Sequence, residues 1–222
     1  MSKRYDQYCP VCHALGLVGE RWSLLVVREL LRGPKRYTDL VEGLPGIGTN
    51  ILAARLRELE QGGVVRKRKL PPPAASTVYE LTEYGAGLEE ALYALARWGA
   101  RTLGPPGPKD DLYPGWGLNA FAALLDPEAA HGLAETYVLR IEEDVYSVRL
   151  ESGQVHVEPG ETENADLDVA MDMGTFYELA SSELTPRTAL AEGRVQLNAG
   201  KPATLERFFT VFSFAPRAQV AV

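Results

Sequence analysis

The chain has 222 residues, 45% apolar, 24% charged and 9% aromatic, with a formal net charge of −7. That composition fits a soluble globular protein with room for one large domain or two of about 100 residues, and no run of 18 apolar residues offers a membrane span. Two cysteines cannot staple a disulfide scaffold, and the first residues lead into a charged, periodic stretch rather than a signal-peptide core, so the expected location is the reducing cytoplasm.

The net charge hides an asymmetry. Residues 1–103 hold 15 Lys and Arg against 11 Asp and Glu, a balance of +4, whereas residues 104–222 hold 8 against 19, a balance of −11. The first half is therefore free to face a polyanion even though the whole chain is acidic. The break falls on a Pro- and Gly-rich stretch, 104–116, which suits neither a helix interior nor a ladder strand. The expected division is a domain over 1–103, a linker over 104–116 and a second domain over 117–222.

In the first half, His13–Val18 reads as a short helix and Trp22–Leu31 as a second, stopped by Gly33-Pro34. Tyr37–Gly43 is a third, followed by the turn Leu44-Pro-Gly-Ile-Gly48. Thr49–Gln61 is a longer helix closed by Gly62-Gly63, with Leu52, Leu56 and Leu59 on its core face. At 100° per residue the opposite face carries Asn50, Ala54, Arg57 and Gln61, side chains small or polar enough to enter a major groove. Val64–Leu70 and Thr77–Thr82 then read as a hairpin around a turn-rich tip, with four successive cations, Arg66, Lys67, Arg68 and Lys69, on its first strand. Standing alone, such a run is a solvated face; after a two-helix unit with a tight turn, it reads as the wing of a winged helix. Glu83–Leu103 is expected as one long helix capped by Thr82, its stripe Leu88, Leu92, Leu95 and Trp98 longer than one small domain needs.

These segments resemble the HxlR family of winged-helix regulators, relatives of the MarR group. The matching residues include Gly19-Glu-Arg-Trp22, Gly33-Pro-Lys-Arg-Tyr37, Leu44-Pro-Gly-Ile47, Asn50-Ile-Leu-Ala-Ala-Arg-Leu56 and Tyr79-Glu-Leu-Thr82, in order and in register. The resemblance implies a homodimer built from the first and last helices and bound to an inverted-repeat operator. It implies backbone contacts from Arg36 and Thr38, and base reading by the face around Asn50 and Arg57 with Thr49 and Ala54 beside it. Many members carry Ser and then Pro where this chain has Gly48 and Thr49, so either Thr49 or Gly48 is the helix cap. If three wing cations per subunit reach phosphates, a dimer makes about six contacts and a log–log salt slope near −5.

Cys9-Pro-Val-Cys12-His13 fits a c-type haem attachment pattern and half of a zinc site. Haem attachment requires export, and zinc requires two further ligands, for which only His131 and His156 in the other half remain. The family resemblance offers a third reading, an oxidant sensor at the Cys9 position, with Cys12 as a resolving thiol three residues on. The plainer alternative is that Cys9 and Cys12 are small packing residues near a dimer interface.

The second half reads as α+β. A helix over Gly117–Leu125 precedes strands over Glu135–Leu139, Val145–Leu150, Gln154–Val157 and Ala165–Asp172; helices over Met173–Ser181 and from Pro186 to Gly193 precede a strand over Arg194–Ala199 and a last helix over Pro202–Phe212. Asp166, Asp168 and Asp172 on one strand invite a metal or acid–base reading, although an alternating acidic strand is ordinarily a solvent face. No nucleophile-elbow, phosphate-loop, dinucleotide or zinc-hydrolase pattern occurs, so neither an enzyme nor a cofactor is expected. The run from Ala165 through Phe176 to Glu183-Leu-Thr-Pro-Arg-Thr-Ala-Leu-Ala-Glu-Gly-Arg-Val-Gln-Leu197 looks like the sterol-carrier-protein domain. That resemblance implies an antiparallel sheet under helices enclosing an apolar tunnel. It would be lined by side chains such as Phe121, Leu124, Met171, Phe176, Tyr177, Phe208 and Phe212. The competing reading is a solidly filled aromatic core. The expectation for the whole chain is a cytoplasmic, dimeric, DNA-binding repressor whose second domain takes an apolar small-molecule effector, with no membrane partner. Its rival is a hydrophobic-ligand carrier using the winged helix to dimerise.

Overall fold

The computed structural model describes residues 5–71, 76–100, 102–104, 107 and 121–213. They fall into two compact units, one running up to Tyr93 and one starting at Ala94. Most of the expected linker and the start of the helix expected from Gly117 lie outside the described residues, of which 121–124 are helical.

The first unit opens with α1 (Pro10–Val18), α2 (Ser23–Leu30), α3 (Tyr37–Gly43) and α4 (Thr49–Gln61). The turn before α4 needs its glycines: Gly46 has φ +81, a region a side chain avoids, and Gly48 is the extended N-cap of α4. Gly48, not Thr49, therefore caps α4, and no side chain at the cap satisfies its first N–H groups. Leu52, Leu56 and Leu59 of α4 join Val26, Val27, Leu30, Leu40 and Leu44 in one apolar core. Strands β1 (Val65–Lys69) and β2 (Thr77–Leu81) pair antiparallel with Arg66 opposite Glu80 and Arg68 opposite Val78. Lys35 bridges to Tyr79 through two backbone hydrogen bonds of 2.9 and 2.7 Å, which anchors the hairpin to the chain entering α3.

The single helix expected over 83–103 is interrupted. Thr82 caps as expected, its hydroxyl accepting from the Gly85 N–H at 3.0 Å, but α5 (Glu83–Ala86) stops at Gly87, and α6 (Glu89–Ala100) resumes after Leu88. The cause is the packing of the hairpin against this turn: a Cβ on Gly85 would stand 2.0 Å from the Val64 carbonyl oxygen, and two glycines loosen the helix there.

In the second unit, β3 (Glu135–Ile141), β4 (Asp144–Glu151) and β5 (Gln154–Pro159) form a meander, followed by β6 (Leu167–Met171), α7 (Met173–Ala180), α8 (Pro186–Ala191), β7 (Val195–Ala199) and α9 (Pro202–Val211). The strand order is β5-β4-β3-β6-β7. The sheet departs from the antiparallel arrangement expected: β6 lies parallel to β3, with Tyr137 opposite Leu167. After β5 the chain crosses two strands before re-entering the sheet, and Glu161 in that crossing bonds Arg140 at 3.0 Å. One alternating set of side chains, among them Tyr137, Leu139, Val148, Leu150, Leu167 and Val169, faces the helices and builds the second core.

Candidate nucleic-acid interface

Three leucines on one side of α4 fix which side is left for a partner. Thr49, Asn50 and Arg57 are exposed and Ala54 is half-buried, so the polar face expected from helical periodicity stands in the open. Tyr37 holds the start of this helix, its hydroxyl donating to the Thr49 carbonyl at 2.7 Å. Exposed Ile51 flanks the same face, an apolar neighbour that periodicity alone does not single out. At the head of α3, Arg36 and Thr38 are both exposed; Asp39 accepts from the Arg36 backbone N–H at 2.8 Å and from the Thr38 hydroxyl at 3.3 Å, which holds that turn firm.

The four wing cations do not form one uniform patch. Strand alternation puts Arg66 and Arg68 on one face of the hairpin and Lys67 and Lys69 on the other. Lys67 lies 5.4 Å from the centre of the Tyr79 ring and 3.7 Å from the Glu60 carboxylate. Arg66 and Arg68 each donate through Nε to one oxygen of Glu80, both at 2.8 Å. Arg68 first, and Arg66 with it, hold the Glu80 carboxyl below the ordinary carboxylate range despite its burial. Sequence reasoning misses Glu80. Its signal is the strand register, unreadable without a recognisable turn type in the Pro-rich tip.

Cys9 is the N-cap of α1. Its thiol is held below the ordinary pKa chiefly by the backbone amides of Cys12 and Val11 in the first turn, with a lesser contribution from the Cys12 side chain. The Cys12 sulfur itself contacts Gln7 Oε1 at 3.2 Å. Both thiols line a cleft of about 690 Å³ together with Tyr5, Tyr8 and His13.

In the second unit Asp166 and Asp172 of the acidic strand are exposed and Asp168 is half-buried, and all three accept hydrogen bonds. Asp168 pairs bidentately with Arg140, both bonds 3.0 Å, and accepts from Asn198 at 2.9 Å. Asp166 accepts the Thr136 N–H at 2.8 Å, and Asp172 caps α7 through the Thr175 N–H at 2.6 Å. Each carboxylate is therefore taken up by a structural partner, and among the described residues no group of three His, Cys, Asp or Glu side chains could hold a metal ion. The residues expected to line a tunnel do converge, but on one another. The Phe121 ring packs edge-to-face on Tyr146, Phe176, Phe208 and Phe212 at centroid distances of 5.6 to 6.3 Å, and Phe208 meets Tyr137 at 5.0 Å. Leu124 and Met171 are buried in the same cluster, while Tyr177 is half-exposed. No described helix is long and apolar enough to cross a membrane.

Comparison with known proteins follows the same division. Residues 17–106 match the family described as HxlR-like helix-turn-helix, and residues 111–218 match the one described as alkyl sulfatase C-terminal, which is related to a sterol-carrier-like fold. The HTH-type transcriptional regulator YodB of Bacillus subtilis is 37% identical over 91 residues, which cover 40% of this chain and 81% of that protein. YvaP of the same organism, an uncharacterised HTH-type transcriptional regulator, is 32% identical over 101 residues, 45% of this chain and 94% of that one. Among solved structures, the reduced form of YodB aligns with a TM-score of 0.40 at 34% identity, covering 46% of this chain and all of that one. The inverting sec-alkylsulfatase Pisa1 from a Pseudomonas species aligns with 0.42 at 26% identity, covering 46% of this chain but only 16% of the sulfatase. With its helix-turn-helix, its wing and relatives matched over most of their own length, the chain belongs to the HxlR-like helix-turn-helix family of DNA-binding transcriptional regulators.

Proposed function

We propose that the protein is a homodimeric repressor that reads an inverted-repeat operator through α4 and grips the flanking backbone with the wing. The observation that carries this reading is the exposed face of Thr49, Asn50 and Arg57, set opposite the buried leucines and followed directly by a cationic strand. In this arrangement Arg36, Thr38, Arg66, Lys67, Arg68 and Lys69 contact phosphates, and Asn50 and Arg57, with Thr49 and Ala54 beside them, face base edges. Dimerisation is supported by α6, in which no residue is buried while Leu95 and Trp98 stand 48% and 69% exposed, and by exposed Val11 and Leu15 on α1. A bound dimer excludes polymerase from overlapping DNA with no further contact, which favours repression. The domain limits in this reading are 1–103 for DNA binding and dimerisation and 117–222 for the second domain.

An apolar effector in the second domain is supported by the likeness of 111–218 to a sterol-carrier-like fold. Such a ligand has to displace the packed phenylalanines, and it changes regulation only by binding the DNA-competent and incompetent forms unequally. The alternative input is oxidation at Cys9 with Cys12 as the resolving thiol, favoured by the lowered pKa of Cys9 at a helix N-terminus. Alkylation of Cys9 no faster than of a free cysteine removes that input. The function itself is tested by selecting bound duplexes from a random-sequence pool. An inverted repeat should emerge, and Arg57→Ala should lose about 1–3 kcal/mol of discrimination at one base pair of each half-site. A pool that shows no enrichment overturns the operator reading.

A further inference from the structure

A carboxylate in the middle of a cationic DNA-binding wing is at first sight a defect, because it repels the phosphates the wing is there to meet. Glu80 is nonetheless 8% exposed, beneath two arginines that are themselves largely in solvent, with side-chain exposures of 64% for Arg66 and 44% for Arg68. One oxygen goes to each arginine, at equal distances of 2.8 Å, and both contacts use Nε. A guanidinium carries five N–H donors, so an arginine bonded only through Nε keeps its terminal fork for a second acceptor. Among the described residues, neither terminal fork is bonded. Residues 66 and 68 share one face of a strand and stand about 7 Å apart, so a single carboxylate spans both side chains and sets them side by side.

We propose that Glu80 is a positioning residue for DNA binding: it fixes Arg66 and Arg68 by their Nε atoms so that both terminal forks are presented together to phosphates. Without it, each long side chain has to be ordered when the duplex arrives, at a cost to affinity. The proposal rests on the wing reading above, and the test separates the two.

Affinity for a mixed-sequence DNA duplex is measured over a range of salt for the full-length protein, Glu80→Gln, Arg66→Ala with Arg68→Ala, and the triple variant. Thermal unfolding of each variant checks the fold. If the wing reading holds, the arginine double variant binds more weakly with a shallower salt slope. If Glu80 positions the arginines, Glu80→Gln weakens binding about fivefold, although it removes a negative charge, and causes no further loss once both arginines are absent. Unchanged or tighter binding by Glu80→Gln overturns the positioning role while leaving the wing contact intact. An equal loss in the arginine-free background also overturns it, because Glu80 would then be acting through the hairpin's fold. An arginine double variant with wild-type affinity and slope overturns the wing reading and the positioning role together.

Discussion

The two units of this chain both pair charges internally but differ in what they leave exposed. In the first, Arg57 on α4 and the four wing cations are exposed, and α6, which begins in this unit and ends in the second, has no buried residue. In the second, aromatic rings pack on one another, and charged side chains close onto partners of the same unit: Arg140 on Asp168 and Glu161, Arg194 on Glu178, Arg207 on Glu135 and Arg187 on Glu206. A surface that leaves apolar side chains open and holds even its paired wing arginines largely in solvent is complementary to something outside the unit; one that folds its charges back onto the sheet is built for internal order. The difference agrees with DNA binding by the helix-turn-helix and wing of the first unit, and means that a response of the second unit begins by loosening something already closed.

The largest expected effect tests that closure. Phe208 is fully buried among Tyr137, Phe121, Phe209 and Phe212. Phe208→Ala should destabilise the second unit by about 3–5 kcal/mol in denaturant unfolding while DNA binding by the first unit persists. A cost below about 1 kcal/mol would mean the rings do not fill their space, and the tunnel reading would gain what the filled core lost. The opposite experiment charges the exposed stripe of α6. Leu95→Glu with Trp98→Glu should weaken self-association at least about a hundredfold in sedimentation equilibrium, because two apolar contacts become charged ones. A dimer that survives this change has its interface elsewhere.

An acid titration gives the next effect in size. Arg140 holds the Asp168 carboxyl below the usual carboxylate range; burial opposes this, and Asn198 adds to it. A carboxyl depressed in the folded state stabilises fully above its unfolded pKa of about 4 and loses that contribution as pH falls through the lower folded value. Asp168→Asn should therefore cost about 1–3 kcal/mol at neutral pH and progressively less below pH of about 4, read as a narrowing gap between the two denaturation curves. A gap that stays constant from neutral pH into acid would show that Arg140 and Asp168 contribute no pairing energy.

The features legible in the amino-acid sequence are the local ones, and the features hidden in it are non-local. The spacing of Leu52, Leu56 and Leu59 and the glycines after Gln61 determine α4 to the residue, and the Thr-Pro and Lys-Pro starts of α8 and α9 place them almost as closely. The break at Gly87, the parallel pairing of β3 with β6 and the anchoring of two wing arginines by Glu80 are not legible. Each depends on what a distant segment does: the hairpin pressing on Gly85, a chain crossing two strands, a register set by a tip of unrecognised turn type. The acidic strand illustrates the same limit. Its alternation is plain in the sequence, but that Arg140 and Asn198 neutralise Asp168 is a fact of the sheet order.

The smallest expected effect concerns the cap of the recognition helix. Gly48 has φ −70 and ψ 141, a backbone any residue adopts, and a Cβ there would meet only Ile51 Cγ1, at an ordinary 3.8 Å. Gly48→Ser should therefore add a side-chain acceptor for an unsatisfied N–H of the first turn and stabilise the first unit by a few tenths of a kcal/mol, about 1–3 °C in Tm. The gain should come with a functional cost if that turn approaches the duplex, because the glycine leaves the Thr49 and Asn50 N–H groups without a side-chain acceptor, open to a phosphate oxygen, and the serine hydroxyl would compete there. Higher Tm with weaker DNA binding would place the start of α4 against the backbone. Higher Tm with unchanged binding would assign the uncapped turn to stability alone, and move the helix's phosphate contacts to Arg36, Thr38 and the wing.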